Sequence, residues 1–390
     1  MNKIKEILFF IFIISTCSFI TFLDTAKANT VFSNNTISFE LTNEIWLGKI
    51  VQSKSKNIFW GLGFSKNTHS SFYQLLKFSE QGVEKISELP LSTDEIQNPY
   101  LHIRQIIFFK LINDKLFIGI KKLNNNIQIV IVDTISSTKS PQTINLEPLT
   151  NSELLLSKQG DIYLLGLEKN NLIILQKISE KGEIVSKKFS LKPGQIKGIK
   201  ISAALLLDDF IYLSIIGNPN NTNTTELLKI DINGSIQKNT TIEGIIFKLY
   251  PTMKDHLLAI KSGETLNDNA EAMIFANTLT KKQTYSLPSF YDIIRYEGSI
   301  SPINDGGIFY IKQISEKPGD EAVNVFRYSY NQAPVTLAQI QNKSEQKSVV
   351  YNIINTKTDN MLTLGISYEE INDNKSQKFF KIYEIDTPSN

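Results

Sequence analysis

GDIYLLGLE, residues Gly160 to Glu168, is a polar turn that runs straight into an aliphatic strand, and the chain repeats this phrase seven times. The other copies are KNIFWGLGF (Lys56 to Phe64), DKLFIGIKK (Asp114 to Lys122), DFIYLSIIG (Asp209 to Gly217), DHLLAIKSG (Asp255 to Gly263), GGIFYIKQI (Gly306 to Ile314) and DNMLTLGIS (Asp359 to Ser367). Their anchor residues are Ile58, Leu116, Ile162, Ile211, Leu257, Ile308 and Met361, which recur every 46 to 58 residues. Around the anchors apolar residues alternate with polar ones in short runs, and no stretch sustains a helical stripe, so the chain reads as nearly all strand. A unit of roughly 40 to 50 residues holding four short strands is the size of one propeller blade.

A second phrase supports that unit. LLKFSEQGVEK (Leu75 to Lys85), LQKISEKGEIVSK (Leu175 to Lys187) and LLKIDINGSIQK (Leu227 to Lys238) each break an apolar strand with a short polar turn containing Gly82, Gly182 or Gly234. A tight hairpin at such a place needs a positive φ, which glycine adopts without a Cβ penalty. These are expected to be the hairpins between the third and fourth strands of a blade. On these two phrases the chain resembles the bacterial β-propeller repeat superfamily. The resemblance implies a fold and no specific activity, since the only tryptophans, Trp46 and Trp60, cannot supply a docking motif in every blade.

The expected architecture is therefore all-β: a single seven-bladed β-propeller of four-stranded antiparallel blades, spanning residues 29–390. TISFELT (Thr36 to Thr42) precedes the first strand of blade one, and KFFKIYEI (Lys378 to Ile385) ends the last blade. Pairing of these N- and C-terminal strands would close the ring and leave no open sheet edge between first and last blades. An eight-bladed ring or a pair of β-sandwiches are the competing arrangements.

Residues 1–28 have the layout of a signal peptide: Lys3 and Lys5, then an apolar run from Ile7 to about Leu23, then the small-residue site Ala26-Lys27-Ala28. Cleavage before Asn29 would place the protein in the periplasm, on the cell surface or in the medium. An uncleaved leader would instead tether it to a membrane, because the run approaches the roughly 20 residues needed to span one. A lipid on Cys17 is a third route, poorly matched by the preceding Ile14-Ser15-Thr16. Cys17 is the single cysteine, so the mature chain has no disulfide, no thiolate nucleophile and no cysteine ligand for a metal. The formal net charge of +2 argues against nucleic acid as a partner.

On such a ring, connections between strands one and two and between three and four lie on one side, and the remaining connections lie on the other. The first set reads as short turns (INDK, KQGD, LDDF, NDGG). The second reads as longer loops: Gly217 to Glu226, Gly263 to Glu271, Ser315 to Glu321 and Tyr368 to Ser376. Loops on a rigid scaffold are the usual seat of binding. The last three carry Glu264, Asp268, Glu271, Glu316, Asp320, Glu321, Glu369, Glu370 and Asp373, which would suit a basic partner or, as the one cofactor such loops could take, calcium. No cofactor is otherwise expected.

The candidate ligand-binding residues are Tyr100, His102 and Arg104, between blades one and two, and Tyr291, Asp292, Arg295 and Tyr296, between blades five and six. Asp94, Glu95 and Glu297 flank them. Only three arginines occur, and two fall here; a guanidinium offers carboxylate or phosphate a planar fork that lysine lacks. The competing role is an internal salt bridge sealing blade to blade. No metal-binding histidine spacing, nucleophile elbow, P-loop or dinucleotide fingerprint appears. Asp208-Asp209 reads as a turn. Catalytic residues cannot be named from the sequence. The expected role is a monomeric, non-catalytic binding or scaffold module for a protein or glycan, and the competing role is an extracellular hydrolase or lyase acting on carbohydrate or a lactone.

Overall fold

The computed structural model describes residues 36–386 apart from 42–44, 54–57, 67–70, 90–105, 122–125, 136–139, 147–148, 169–171, 192–199, 218–223, 253–255, 264, 266–267, 290–299, 303–306, 316–320, 329–333, 342–345, 355–360 and 373–374. Strand β1 (Thr36–Leu41) precedes blade one, which is β2 (Ile45–Gln52), β3 (Phe59–Lys66), β4 (Ser71–Ser79) and β5 (Gly82–Leu89). Blade two is β6 (Ile106–Ile112), β7 (Lys115–Lys121), β8 (Ile127–Asp133) and β9 (Gln142–Leu146). Blade three is β10 (Thr150–Leu156), β11 (Ile162–Leu167), β12 (Ile173–Ile178) and β13 (Ile184–Leu191). Blade four is β14 (Lys200–Leu207), β15 (Phe210–Ile216), β16 (Thr224–Asp231) and β17 (Ile236–Glu243). Blade five is β18 (Ile246–Pro251), β19 (Leu257–Lys261), β20 (Asn269–Phe275) and β21 (Lys281–Ser289). Blade six is β22 (Ile300–Pro302), β23 (Ile308–Ser315), β24 (Glu321–Tyr328) and β25 (Val335–Gln341). Blade seven is β26 (Gln346–Ile354), β27 (Met361–Asn372) and β28 (Lys375–Asp386), with β1 as its fourth strand.

Every sheet has four antiparallel strands, and the seventh runs β1-β28-β27-β26. The clasp pairs Thr36 with Tyr383 and Leu41 with Lys378. Seven blades therefore close through the two chain ends, and neither an eighth blade nor a sandwich pair is formed. The repeated phrase starts the second strand of each blade, and Gly82, Gly182 and Gly234 sit in third-to-fourth hairpins with φ of 105°, 86° and 98°.

Where the sequence suggested alternation, the inner strands are buried on both faces. All six residues of β11 are buried, as are the first six of β8. A blade's middle strands are sandwiched between two neighbouring blades, so both sides of the pleat must be apolar. Outer strands face water, and β17 is almost wholly exposed. The core is correspondingly divided into seven apolar clusters, one at each blade-to-blade junction. The junction of blades seven and one is aromatic: Phe78 of β4 lies 5.2 Å from both Phe39 of β1 and Phe380 of β28, centroid to centroid.

First strands of neighbouring blades approach one another, with β14 between β10 and β18 and β2 between β26 and β6. They form the wall of the central channel. The connections sort onto two faces as expected, with one correction. Tyr368 to Ser376 is not a long loop: β27 and β28 pair from Met361↔Asp386 out to Asn372↔Lys375, so the segment is an extended ladder with two residues at its tip. Glu369 lies opposite Lys378 and Glu370 opposite Gln377 in that register, which places both residues on a strand.

Candidate functional site: the channel mouth

Tyr100, His102, Arg104, Tyr291, Asp292, Arg295 and Tyr296 all fall within 90–105 and 290–299, outside the described residues. The flanking strands, β5 with β6 and β21 with β22, make these segments fourth-to-first junctions, which belong to the face of the longer connections. Of the loop carboxylates, Glu264, Glu316, Asp320 and Asp373 also lie outside the described residues. Asp268 turns back on its own loop, its carboxylate accepting from the Thr265 amide at 2.6 Å. Glu271 is a strand residue paired with Lys261 at 2.8 Å. Among the described residues, no three His, Cys, Asp or Glu side chains converge to hold a metal.

The opposite face, made of short turns, is knitted blade to blade. Lys115 of blade two meets Glu180 of blade three at 2.8 Å, and Lys158 of blade three meets Asp208 of blade four at 2.7 Å. Asp208 thus has a structural role at a turn with φ 54°, as its sequence context implied. Lys229 of blade four is buried, stacks 4.0 Å above the Phe210 ring and donates to the Asn277 side chain of blade five. The exposed pairs contribute little individually; among the described residues, the ion pairs that cross from blade to blade lie on this face.

The channel wall has a different character. The seven first strands contain Lys49, Lys110, Lys200, Lys248 and Lys347, and a single acid, Glu153. In sequence these strands hold five lysines and one acid, in a chain that is nearly neutral overall. Lys200 and Lys347 stand at the first and second positions of their strands, on the side of the longer connections, while Lys110 is fifth of seven on β6, toward the short turn at Asn113-Asp114.

Bulges shape this wall. The pairing of first with second strand skips a residue between Leu47 and Lys49, between Ile106 and Phe108, between Ile201 and Ala203, and between Ile246 and Lys248, and skips two between Thr150 and Glu153. The extra residues break the ladder near the long-connection end of these five blades, as does the skip between Ser348 and Val350 in blade seven, and re-aim the chain that follows. Lys49, Glu153 and Lys248 each occupy the position immediately after a bulge. Between Glu153 of blade three and Lys248 of blade five, blade four presents Ser202, Ala203 and Ala204. Ala203 and Ala204 pack into the junctions with blades five and three, and the Ser202 and Ser214 hydroxyls are hydrogen-bonded at 2.7 Å at the bulge.

Electrostatics fit an enclosed, water-reachable space. The Lys110 side chain is exposed to solvent, yet desolvation by the surrounding protein lowers its ammonium pKa. Both observations hold for a group projecting into a channel, where water is present but most of the sphere around the charge is protein. Burial raises the Glu153 carboxyl, while Lys248 and Lys121 pull it partly back. Among the described residues Glu153 has no ion-pair or hydrogen-bond partner, so it feels those lysines at a distance.

The fold defines a closed seven-bladed β-propeller whose first strands, among the described residues, carry several lysines and Glu153. No family model matches the chain, and no curated protein matches it. Among solved structures it is similar to an uncharacterized protein of Listeria monocytogenes, at 11% identity over 83% of this chain and 91% of that one, with a TM-score of 0.46. It is similar to a candidate 6-phosphogluconolactonase of Bacteroides fragilis at 12% identity, over 82% of this chain and 93% of that one, with a TM-score of 0.49. An acylaminoacyl peptidase of Pyrococcus horikoshii is matched at 10% identity over 84% of this chain, with a TM-score of 0.47; this chain spans 49% of that one. These likenesses concern the ring and not an activity.

The charged residues of the first strands were missed from sequence because each comes from a different blade, some 43 to 99 residues from the next. The one available signal was the placement of a lone charge within an otherwise apolar first strand, as in IIFFKLI and TNSELLL.

Proposed function

We propose that this chain is an exported binding module that engages a protein or glycan through its long-connection face. The observation that supports this reading most is the division between the two faces: among the described residues, the ion pairs that join blades lie on the short-turn face, while the other face carries the longer connections. The leader, residues 1–28, delivers residues 29–390 beyond the cytoplasmic membrane, where a fold without cysteine needs no oxidant. Arg104 and Arg295, on junctions belonging to the binding face, supply forks for acidic groups of the partner. The double variant Arg104→Ala with Arg295→Ala is expected to lose capture on a glycan array or of a purified partner, at unchanged thermal stability. Lost stability with capture intact would make the two arginines structural and refute their role. Intact-mass analysis of the protein recovered from an exporting host should show a chain beginning at Asn29.

A second reading, a hydrolase or lyase acting on carbohydrate or a lactone, has one observation in its favour. A carboxyl raised above its usual range, as Glu153 is, is the property required of a general acid. Turnover of such a substrate that disappears in Glu153→Gln would favour this reading over the binding one.

A further inference from the structure

We propose that the junction between blades seven and one binds an ordered water molecule bridging Gln74 to Ser65, and that the next junction repeats the site between Gln128 and Thr143.

Register singles these residues out. Gln74 lies opposite Gly63, Gln128 opposite Ile120, Glu226 opposite Ile215, Glu271 opposite Lys261 and Asn324 opposite Lys312. Each of these second-strand residues stands four beyond a buried one that packs against the preceding blade: Phe59, Leu116, Ile211, Leu257 and Ile308. Five blades thus set a polar side chain at one position of the third strand, beside an apolar junction and toward the long-connection side. The two acids are satisfied by protein, since Glu271 pairs with Lys261 at 2.8 Å and Glu226 accepts from Asn239 at 3.3 Å. The three amides differ. Gln74, Gln128 and Asn324 are 5%, 4% and 9% exposed, and among the described residues their side-chain oxygens have no hydrogen-bond partner.

A buried acceptor left unpaired is costly, and folded proteins pair such groups with protein or with ordered water. In two of the three blades a hydroxyl in the same condition stands diagonally across the ladder on the same face. Ser65 is two residues beyond Gly63, the partner of Gln74, and its Oγ is buried without a partner. Thr143, two residues before Asn145, the partner of Gln128, has an Oγ1 of the same kind. Diagonal neighbours on a ladder are about 7–8 Å apart, a span that a glutamine side chain and one water cover together. Gly63, directly opposite Gln74, adds no side chain to occupy that span. Water suits the pair better than an ion does. One water donates to the amide oxygen and accepts from the hydroxyl, whereas an ion would meet no opposite charge on either partner.

The test is thermal unfolding of the whole propeller, residues 29–390, with Ser65→Ala, Gln74→Met and the double variant, and with Thr143→Val, Gln128→Met and their double. With a bridging water, each hydroxyl variant strips the water of one partner, and Tm should fall by about 1–4 °C. Each double variant should fall by less than the sum of its singles, because either change alone already disrupts the bridge. In a dry junction the hydroxyl is itself an unpaired buried group, so deleting it relieves the fold. An unchanged or raised Tm for Ser65→Ala or Thr143→Val would therefore overturn the assignment at that site. A high-resolution crystal structure of the unsubstituted protein gives the second readout, and carries the test with the hydroxyl variants if a glutamine variant does not fold. One water is expected about 2.7–3.2 Å from both the Gln74 amide and the Ser65 hydroxyl, with its counterpart between Gln128 and Thr143. Side chains bonded directly to each other, or no water between them, would overturn it.

Discussion

Truncating Phe39 to alanine tests the closure of the ring at the β1–β28 pairing, where the first and last strands meet through hydrogen bonds and packing. Phe39 is 6% exposed on a six-residue strand, and it touches both sides of the seam: Phe380 within its own blade, 6.3 Å between centroids, and Phe78 in blade one at 5.2 Å. Removing a buried phenylalanine costs about 3–5 kcal/mol from lost burial and the cavity left behind. The edge-on Phe39–Phe78 contact accounts for about 0.5–1.5 kcal/mol of that. Unfolding entropy grows with chain length, so in a domain of this size the loss corresponds to a fall in Tm of about 4–7 °C. Ile37, two residues earlier on the same face of β1 but 38% exposed, is the control, and Ile37→Ala should shift Tm by no more than about 1 °C. Calorimetry on Phe39→Ala, Phe78→Ala and the double variant closes a cycle, with a coupling of about 0.5–1.5 kcal/mol expected. Equal shifts for Phe39→Ala and Ile37→Ala, or no coupling between Phe39 and Phe78, would refute the idea that the aromatic seam holds the ring shut.

Two further outcomes concern Gly166, on β11 and facing Leu149, and Glu153 of β10. Gly166→Ala would put a Cβ 2.4 Å from the Leu149 Cβ, too close for either to stay in place, and Tm should fall by several degrees; Leu149→Ala in the same chain should restore part of the loss. Glu153→Gln should stabilise the protein near neutrality. The folded-state pKa of this carboxyl is raised, so the folded chain binds its proton more tightly than the unfolded chain does. That contribution is fully present below the ordinary carboxylate value and is lost as pH rises through the raised folded pKa. The Tm advantage of Glu153→Gln should therefore grow from about pH 4 toward neutrality and then level off, and an advantage independent of pH would contradict the assignment.

Local signals in this chain report the blade and are silent about the channel. The turn-plus-strand phrase identified all seven second strands because that position is the most constrained in a blade: it is paired on both sides and covered on both faces. Hairpin glycines were legible for the same reason, since a positive φ leaves glycine little competition. The terminal clasp could be inferred because TISFELT had no other strand to complete. The ladder at Tyr368 to Ser376 was misread because its polar composition imitates a loop, whereas backbone pairing carried β27 and β28 outward regardless of side-chain polarity. The bulges leave no sequence trace, because an extra residue on one strand is defined only against its partner. Lys110, Glu153 and Lys248 look like isolated charges until the ring brings residues from blades two, three and five around a single axis.

The pairing of Thr36 with Tyr383 has a consequence for engineering. Both described ends of the chain leave from adjacent strands on the same rim of the short-turn face, so a short linker could join them without crossing the molecule. The molecule could then be reopened at another blade junction, such as Gly244-Ile245 between β17 and β18, to give a circular permutant with the same seven sheets and a different starting blade. In the native order, a fluorophore, resin or surface attached at either end would hold the disc by its underside and leave the opposite face toward solvent.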